Sequence, residues 1–99
     1  MLLEQNHNFN EEIKGPIVVV DFFATWCGPC KMLSPILEKF ASEHPEVKVI
    51  KVDVDDFTNI AREYGVTSIP TLVLFNDGVM VDKKVGFMDY NNLVKWIIK

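Results

Sequence analysis

The sequence predicts an α/β protein with a mixed central sheet of four to five strands flanked by about four helices, arranged as a three-layer sandwich. Strand-like apolar segments alternate with amphipathic helical segments, and strand–helix–strand units require right-handed crossovers between parallel strands. An Asn-Asp-Gly turn at 76–78 indicates a closing antiparallel hairpin. With 99 residues, 48% hydrophobic and 24% charged, the chain is expected to form a single domain over residues 1–99.

The strands are predicted from short runs rich in β-branched and aromatic residues. Residues 17–23 are almost continuously apolar, which is typical of a central strand covered on both faces. The runs 47–54, 71–75 and 79–85 are also strand-like, and the last two flank the turn. Residues 2–3 allow a short fifth strand, which is why four to five strands are predicted.

The helices are predicted from apolar residues at helical spacing. Residues 31–44 and 90–98 are amphipathic, a short helix is predicted at 59–65, and an early one near 9–14. Gly65 fits a left-handed cap at the end of the third predicted helix. The predicted apolar stripe of the longest helix consists of Met32, Leu33, Ile36, Leu37, Phe40 and Ala41.

Charge and hydropathy disfavour several classes of function. The chain has 10 basic and 14 acidic side chains, a net charge of −4 and no basic stripe, so no nucleic-acid partner is expected. It lacks an apolar run of about 18 residues, so no membrane span is expected. The first residues do not have the pattern of a secretory signal peptide, and a cytoplasmic location is therefore expected.

Two cysteines, Cys27 and Cys30, lie at the junction between the predicted strand 17–23 and the helix that follows. They are too few and too close together for a disulfide scaffold. The positive end of the helix dipole would stabilise a thiolate at Cys27 and lower its pKa, which suits a nucleophile in disulfide exchange. Cys30, three residues on, shares the same helix face and is expected to be more buried, as a resolving thiol.

Three other interpretations of the pair compete with a redox role. A zinc site needs about four ligands, and His7 and His44 are not clustered with the cysteines, so no metal is expected. A haem-attachment motif needs histidine where Lys31 stands. Two inert core cysteines are less favoured, because a loop position beside Trp26 argues for exposure of the pair.

Asp21 is the one acid inside the apolar run 17–23. It has the strand parity of Val19 and Phe23, so it is expected to point into packed surroundings. Burial without a partner raises the pKa of a carboxyl and makes it a proton acceptor near neutral pH. The alternative for Asp21 is a position at a frayed strand end, where its carboxylate would bond to backbone. Lys51, in the predicted strand 47–54, would by itself more often be a solvated side chain.

The segment WCGPCK at 26–31 resembles the active-site motif of the thioredoxin family. The resemblance extends over nearly the whole chain, through residues 18–37, 51–56, 64–78 and 84–86. It implies the thioredoxin fold and a general protein-disulfide reductase that works by dithiol–disulfide exchange. The redox-active disulfide would join Cys27 and Cys30, with no bound cofactor. Phe23 departs from the family, since many bacterial members have tryptophan there.

The resemblance also implies roles for residues around the cysteines. Asp21 would lie behind Cys30 and help remove its proton, and Lys51 would tune Asp21. Most X-Pro bonds are trans, but the resemblance implies a cis bond between Ile69 and Pro70, facing the cysteines. A freed Ile69 backbone could then pair with an extended substrate.

An apolar rim around the cysteines is implied by the same resemblance. Trp26, Ile69 and Gly86 would form this rim, although a core position for Trp26 is the alternative from the sequence alone. Gly28 and Pro29 bring no charge between the cysteines. The dithiol is therefore less stabilised than in oxidising relatives with a histidine there, and it donates electrons more readily.

The expected partners follow from the resemblance. A thioredoxin reductase, usually NADPH-dependent in this family, would recharge the dithiol, and disulfide-containing proteins would be the substrates of a monomeric enzyme. One rival is a disulfide oxidase or isomerase of an oxidising compartment. The rival from another class is a non-catalytic binding subunit with the same fold.

Overall fold

The central feature is a mixed sheet, described together with the rest of residues 1–98 by a computed structural model. Within that range the sheet has four strands, in the spatial order β2-β1-β3-β4. β1 and β2 are parallel, whereas β3 is antiparallel to both of its neighbours. The predicted mixed sheet is thus confirmed. The strands are β1 (Val18–Phe23), β2 (Lys48–Asp53), β3 (Thr71–Asn76) and β4 (Val79–Val85).

Helices cover both faces of the sheet. α1 and α3 pack with side chains of β1, β2 and β3 into one apolar cluster, and α2 and α4 pack into a second cluster on the opposite face. The three layers expected from the sequence are therefore present. The helices are α1 (Phe9–Glu12), α2 (Gly28–Glu43), α3 (Thr58–Glu63) and α4 (Tyr90–Ile97).

β1 lies between two strands and under helices on both sides, which explains its continuous apolar sequence. Val18, Val20 and Phe22 belong to the cluster of α1 and α3, and Val19 belongs to the cluster of α2 and α4. Because side chains alternate along a strand, Asp21 points to the same face as Val19. The strand therefore carries its carboxylate beneath α2, the helix that begins with the cysteines.

Two predicted turns occur where expected. Asp77 and Gly78 have φ angles of 51° and 82°, as the central residues of a two-residue hairpin turn require. Gly65 has a φ of 67° immediately after α3, where a side chain would be strained.

Three details of the structure differ from the segments read from the sequence. Residues 2–3 do not form a strand, and Leu2 makes an isolated parallel bridge with Lys51. α2 begins at Gly28, before the amphipathic segment 31–44, because Cys27 caps it, and Cys30 lies in its first turn as expected. Met32 is 63% exposed, since the buried face of α2 is centred on Cys30, Leu33, Leu37 and Phe40 and leaves Met32 on its flank. Within residues 1–98, no helix has the length and apolar character needed to cross a membrane.

Candidate active site

The cysteine pair lies where β1 gives way to α2. Cys27 is the N-cap of α2, with extended φ and ψ of −90° and 115°. Its Sγ accepts a hydrogen bond from the backbone N–H of Cys30 at 3.2 Å, and its carbonyl accepts one from Lys31 at 3.2 Å. A sulfur thus takes the place that a serine or aspartate oxygen usually has at a helix N-terminus.

Cys27 and Cys30 are joined by a disulfide, with their Cα atoms 5.2 Å apart. This separation lies within the usual range for such bonds. Both cysteines come from the capped first turn of α2. The structure is therefore that of an oxidised dithiol pair.

Both cysteines are buried in this oxidised form. Cys27 is 5% exposed and Cys30 is 4% exposed, so the expected exposure of the pair and the expected contrast between them are wrong for this state. The disulfide holds the two sulfurs against each other, and Ala24 and Ile69 pack on them. Access to Cys27 is consequently restricted by the loop that carries Ile69.

The electrostatic surroundings of Cys27 favour a thiolate. The first turn of α2, from Gly28 to Lys31, contains no acidic side chain and one lysine. The unpaired N–H groups at this end of the helix add a partial positive charge. Pro29 has no N–H to offer, and the N–H of Cys30 is the one directed at the Cys27 sulfur, whereas that of Lys31 bonds to the Cys27 carbonyl.

Asp21 is fully buried on the sheet face beneath α2. Neither of its carboxylate oxygens has a hydrogen-bond partner within residues 1–98. Burial raises the pKa of Asp21 from 3.8 to about 6, and the charge of Lys51 partly opposes this rise. The carboxyl can therefore change its protonation state close to neutral pH.

Lys51 stands opposite Asp21 as its register partner on β2. Directly paired residues of neighbouring strands share a face, so both side chains lie on the side of α2. The Lys51 Nζ donates a hydrogen bond to the Oγ of Ser34 at 2.8 Å and lies 4.8 Å from the centre of the Phe23 ring. The lysine is thus half-buried and fixed, not a freely solvated side chain.

The loop before β3 approaches the cysteines from the other side. The Ile69–Pro70 peptide bond is cis, as the resemblance implied and against the general preference for trans. The carbonyl oxygen of Ile69 lies 3.9 Å from the Sγ of Cys27. Gly86 donates its N–H to the Pro70 carbonyl at 2.8 Å, so the end of β4 is tied to this loop.

Gly86 and Gly28 leave free space at the surface of the site. A Cβ atom added at either glycine would meet nothing within 4 Å. Gly86 also has a φ of 98°, which side chains rarely adopt. An approaching chain could therefore come close to the backbone at both positions.

Trp26 is exposed, and so is not the core residue that the sequence allowed as an alternative. It is 69% exposed, and its indole N–H donates a hydrogen bond to Oδ2 of Asp55 at 2.9 Å. A groove of about 170 Å³ runs between Trp26 and Ile69 and is also lined by Val54 and Val66. The indole therefore forms one wall of an apolar groove near Cys27.

Two residues at this site were missed by the sequence interpretation. Neither Asp55 nor Ser34 is singled out by the sequence analysis. The position of Ser34, four residues after Cys30 on one helix, was the signal available for it. Nothing in the sequence linked Asp55 to Trp26. In the described part of the chain, no three His, Cys, Asp or Glu side chains are grouped to hold a metal ion.

Comparisons with known proteins agree with this geometry. The thioredoxin family model matches residues 1–99. The thioredoxin of Chlamydia trachomatis is 51% identical over 92 residues, which cover 93% of this chain and 90% of that protein. The thioredoxin of Staphylococcus haemolyticus is 46% identical over 93 residues, covering 93% of this chain and 89% of that protein.

Solved structures give the same result. A mutant thioredoxin from Halobacterium salinarum superposes with a TM-score of 0.90 at 39% identity, over 98% of this chain and 86% of that one. A chain from a study of thiol resolution in yeast mitochondrial 1-Cys peroxiredoxin by the glutathione and thioredoxin systems superposes at 0.88, with 41% identity, over 98% of this chain and 92% of that one.

Proposed function

The chain belongs to the thioredoxin family and is a protein-disulfide oxidoreductase, and from this premise we propose a division of roles between its residues. Cys27 is the nucleophile and Cys30 is the resolving thiol. The observation that carries the assignment is the backbone N–H of Cys30 directed at the Sγ of Cys27, 3.2 Å away. Such a donor stabilises negative charge on the first sulfur.

The reaction proceeds as two sulfur exchanges. In the reduced protein, the Cys27 thiolate attacks one sulfur of a substrate disulfide, forms a mixed disulfide and releases the other substrate sulfur as a thiolate. Cys30 then loses its proton and attacks the Sγ of Cys27, which releases the second substrate thiolate. Two electrons pass from the dithiol to the substrate, and the Cys27–Cys30 disulfide remains.

Asp21 accepts the proton of Cys30 in this proposal, and Lys51 tunes that carboxyl. Three features support the role: the full burial of Asp21, the absence of a hydrogen-bond partner for its oxygens within residues 1–98, and a pKa raised to about 6 by burial. A proton acceptor works best when its pKa is near the working pH.

The substrate binds in extended form beside Ile69 and Pro70. Trp26 and Ile69 supply the apolar groove, and the open space above Gly86 admits the substrate backbone. Gly28 and Pro29 keep the turn between the cysteines uncharged, which favours donation of electrons over oxidation of substrates. The peroxiredoxin context of one structural relative supports oxidised cysteine proteins as substrates.

A thioredoxin reductase drawing electrons from NADPH recharges the dithiol. The cytoplasm is the proposed compartment, because a dithiol donor needs reducing surroundings. A single domain over residues 1–99 acting as a monomer suffices, since both sulfurs come from one helical turn.

Turnover of insulin disulfides tests the proposal. We expect reduction with dithiothreitol as electron source, and then with NADPH and a thioredoxin reductase. Replacing both cysteines with serine should abolish turnover. Retention of a cellular function by that double variant would instead indicate a binding subunit, and a reduction potential well above about −200 mV would indicate an oxidase.

A further inference from the structure

The hydrogen bond between Lys51 and Ser34 has no part in the roles assigned above. The Lys51 Nζ donates to the Ser34 Oγ at 2.8 Å. Ser34 lies one turn after Cys30 on α2, and residues four apart share a helix face. The contact therefore ties β2 to the face of α2 that carries the second cysteine.

A cavity of about 200 Å³ lies at this junction. Its lining includes Phe23, Cys30, Ser34 and Lys51. The Cys30 side chain and the Lys51–Ser34 pair thus border one space. A change in the position of the lysine ammonium would alter the electrostatic surroundings of that space.

We propose that Ser34 is a positioning residue, whose hydroxyl holds the Lys51 ammonium beside the buried Asp21 carboxyl by accepting its hydrogen bond. The proposal rests on the proposed function of Asp21 for its importance to the reaction. It concerns a residue that touches neither the substrate nor the reacting sulfurs.

Lys51 needs a hydrogen-bond acceptor within the protein to keep its ammonium near Asp21, because an ammonium group is strongly hydrated and is carried on a flexible stem. Direct pairing with Asp21 would take the ammonium deeper into the protein at a desolvation cost. The Asp21 oxygens indeed accept no hydrogen bond from any residue in the range 1–98. The Phe23 ring offers its face at 4.8 Å but no lone pair. Without the Ser34 hydroxyl, Lys51 would extend its ammonium toward water.

Other charged groups surround this pair on α2 and beside β2. Lys31 lines the same cavity and is exposed, and Glu38 lines a second groove, separate from the one beside Trp26, which Ser34 and Lys51 also border. Lys48 and the Met1 ammonium line that groove from the side of β2. From β3, the register partner of Asp21 is the uncharged Leu72. Lys51 is the neighbour whose charge lowers the pKa of Asp21.

The test is a titration of the Asp21 carboxyl carbon by NMR in the oxidised full chain labelled with ¹³C-aspartate. Wild type is compared with Ser34→Ala and Ser34→Thr. We expect the Asp21 midpoint to rise by roughly half a pH unit in Ser34→Ala, the change produced when an ammonium retreats a few ångströms at an effective dielectric constant of about 20. Ser34→Thr, which keeps the hydroxyl, should titrate as wild type.

A second background separates positioning from a general structural effect. In Lys51→Met, adding Ser34→Ala should not move the Asp21 midpoint further, because the group that Ser34 holds is gone. An unchanged or lower midpoint in Ser34→Ala, or an equal rise without Lys51, would overturn the proposal. The titration needs no turnover, so a wild-type reaction rate in Asp21→Asn would refute the proton-acceptor role while a raised midpoint in Ser34→Ala still supports positioning by Ser34.

Discussion

The backbone N–H of Cys30 donates its hydrogen bond to the Sγ of Cys27, and the two residues thereby differ chemically although they are equally buried. The sulfur of Cys27 accepts a hydrogen bond from a backbone N–H at the helix N-terminus, and Cys30 is the residue that supplies this N–H. Charge on sulfur is therefore stabilised at Cys27 first. In the proposed mechanism, this asymmetry makes Cys27 the first sulfur to react.

The first prediction concerns covalent trapping. Cys30→Ser should accumulate a mixed disulfide between Cys27 and an oxidised protein substrate, because the resolving thiol is missing. Cys27→Ser is the matched control and should trap little. Non-reducing gels measure both adducts, and equal trapping by the two variants would refute the assignment of the nucleophile.

The second prediction concerns proton transfer from Cys30. Asp21→Asn should slow release of substrate from the mixed disulfide by roughly tenfold or more, since general base catalysis commonly contributes 10²-fold or more. The wild-type rate should also fall below about pH 6, where Asp21 becomes protonated, and this step in the pH profile should be absent in the variant. Stopped-flow measurements from pH 5 to about 8 test this, with the exposed Asp56→Asn as control. A wild-type rate and profile in Asp21→Asn would exclude the role.

The third prediction concerns stability against pH. The folded-state pKa of Asp21 is raised from 3.8 to about 6, so the folded protein binds this proton more tightly than the unfolded chain. The stabilisation that the folded state gains from binding this proton is fully present below pH 3.8 and is lost as pH rises through about 6. Asp21→Asn should therefore be more stable than wild type at pH 7 by about 3 kcal/mol, and the gap should close toward pH 4. Urea unfolding at both pH values measures it, and a pH-independent gap would contradict the raised pKa.

The fourth prediction concerns the rim. Asp55→Ala removes the acceptor of the Trp26 indole N–H, so the exposed ring should become less ordered. We expect KM for insulin reduction to rise severalfold, corresponding to about 1 kcal/mol for one hydrogen bond, with little change in kcat. Asp56→Ala changes the net charge equally and is the control. An equal effect of both variants would assign the change to charge instead.

The fifth prediction concerns the two sides of α2. Phe40→Ala should destabilise the protein by about 3–5 kcal/mol, because the ring is fully buried between the helix and the sheet. Met32→Ala, at an exposed position of the same helix, should change the free energy of unfolding by no more than about 0.5 kcal/mol. Urea unfolding distinguishes them, and a large loss in Met32→Ala would return that residue to the apolar stripe predicted from the sequence.

Local patterns predicted most elements because they depend on near neighbours along the chain. Turn residues at 76–78, the glycine after α3 and the continuous apolar run of β1 each indicate a structure that is set within a few residues. The orientation of Met32 could not be obtained this way. Helical spacing alone defines a stripe only approximately, and the position of the sheet decides which edge of the stripe is covered.

For this protein, the sequence by itself determined the order of strands and helices, the position of Cys27 and Cys30 at a helix N-terminus and the carboxylate within β1. Only the tertiary structure decided that both cysteines are buried when oxidised, that Trp26 bonds to Asp55, and that Lys51 bonds to Ser34 while Asp21 stays without a hydrogen-bond partner in residues 1–98. The reason is physical: caps and strand parity follow from adjacent residues, whereas burial and hydrogen-bond partners depend on segments that lie 17 to 42 residues apart in the chain.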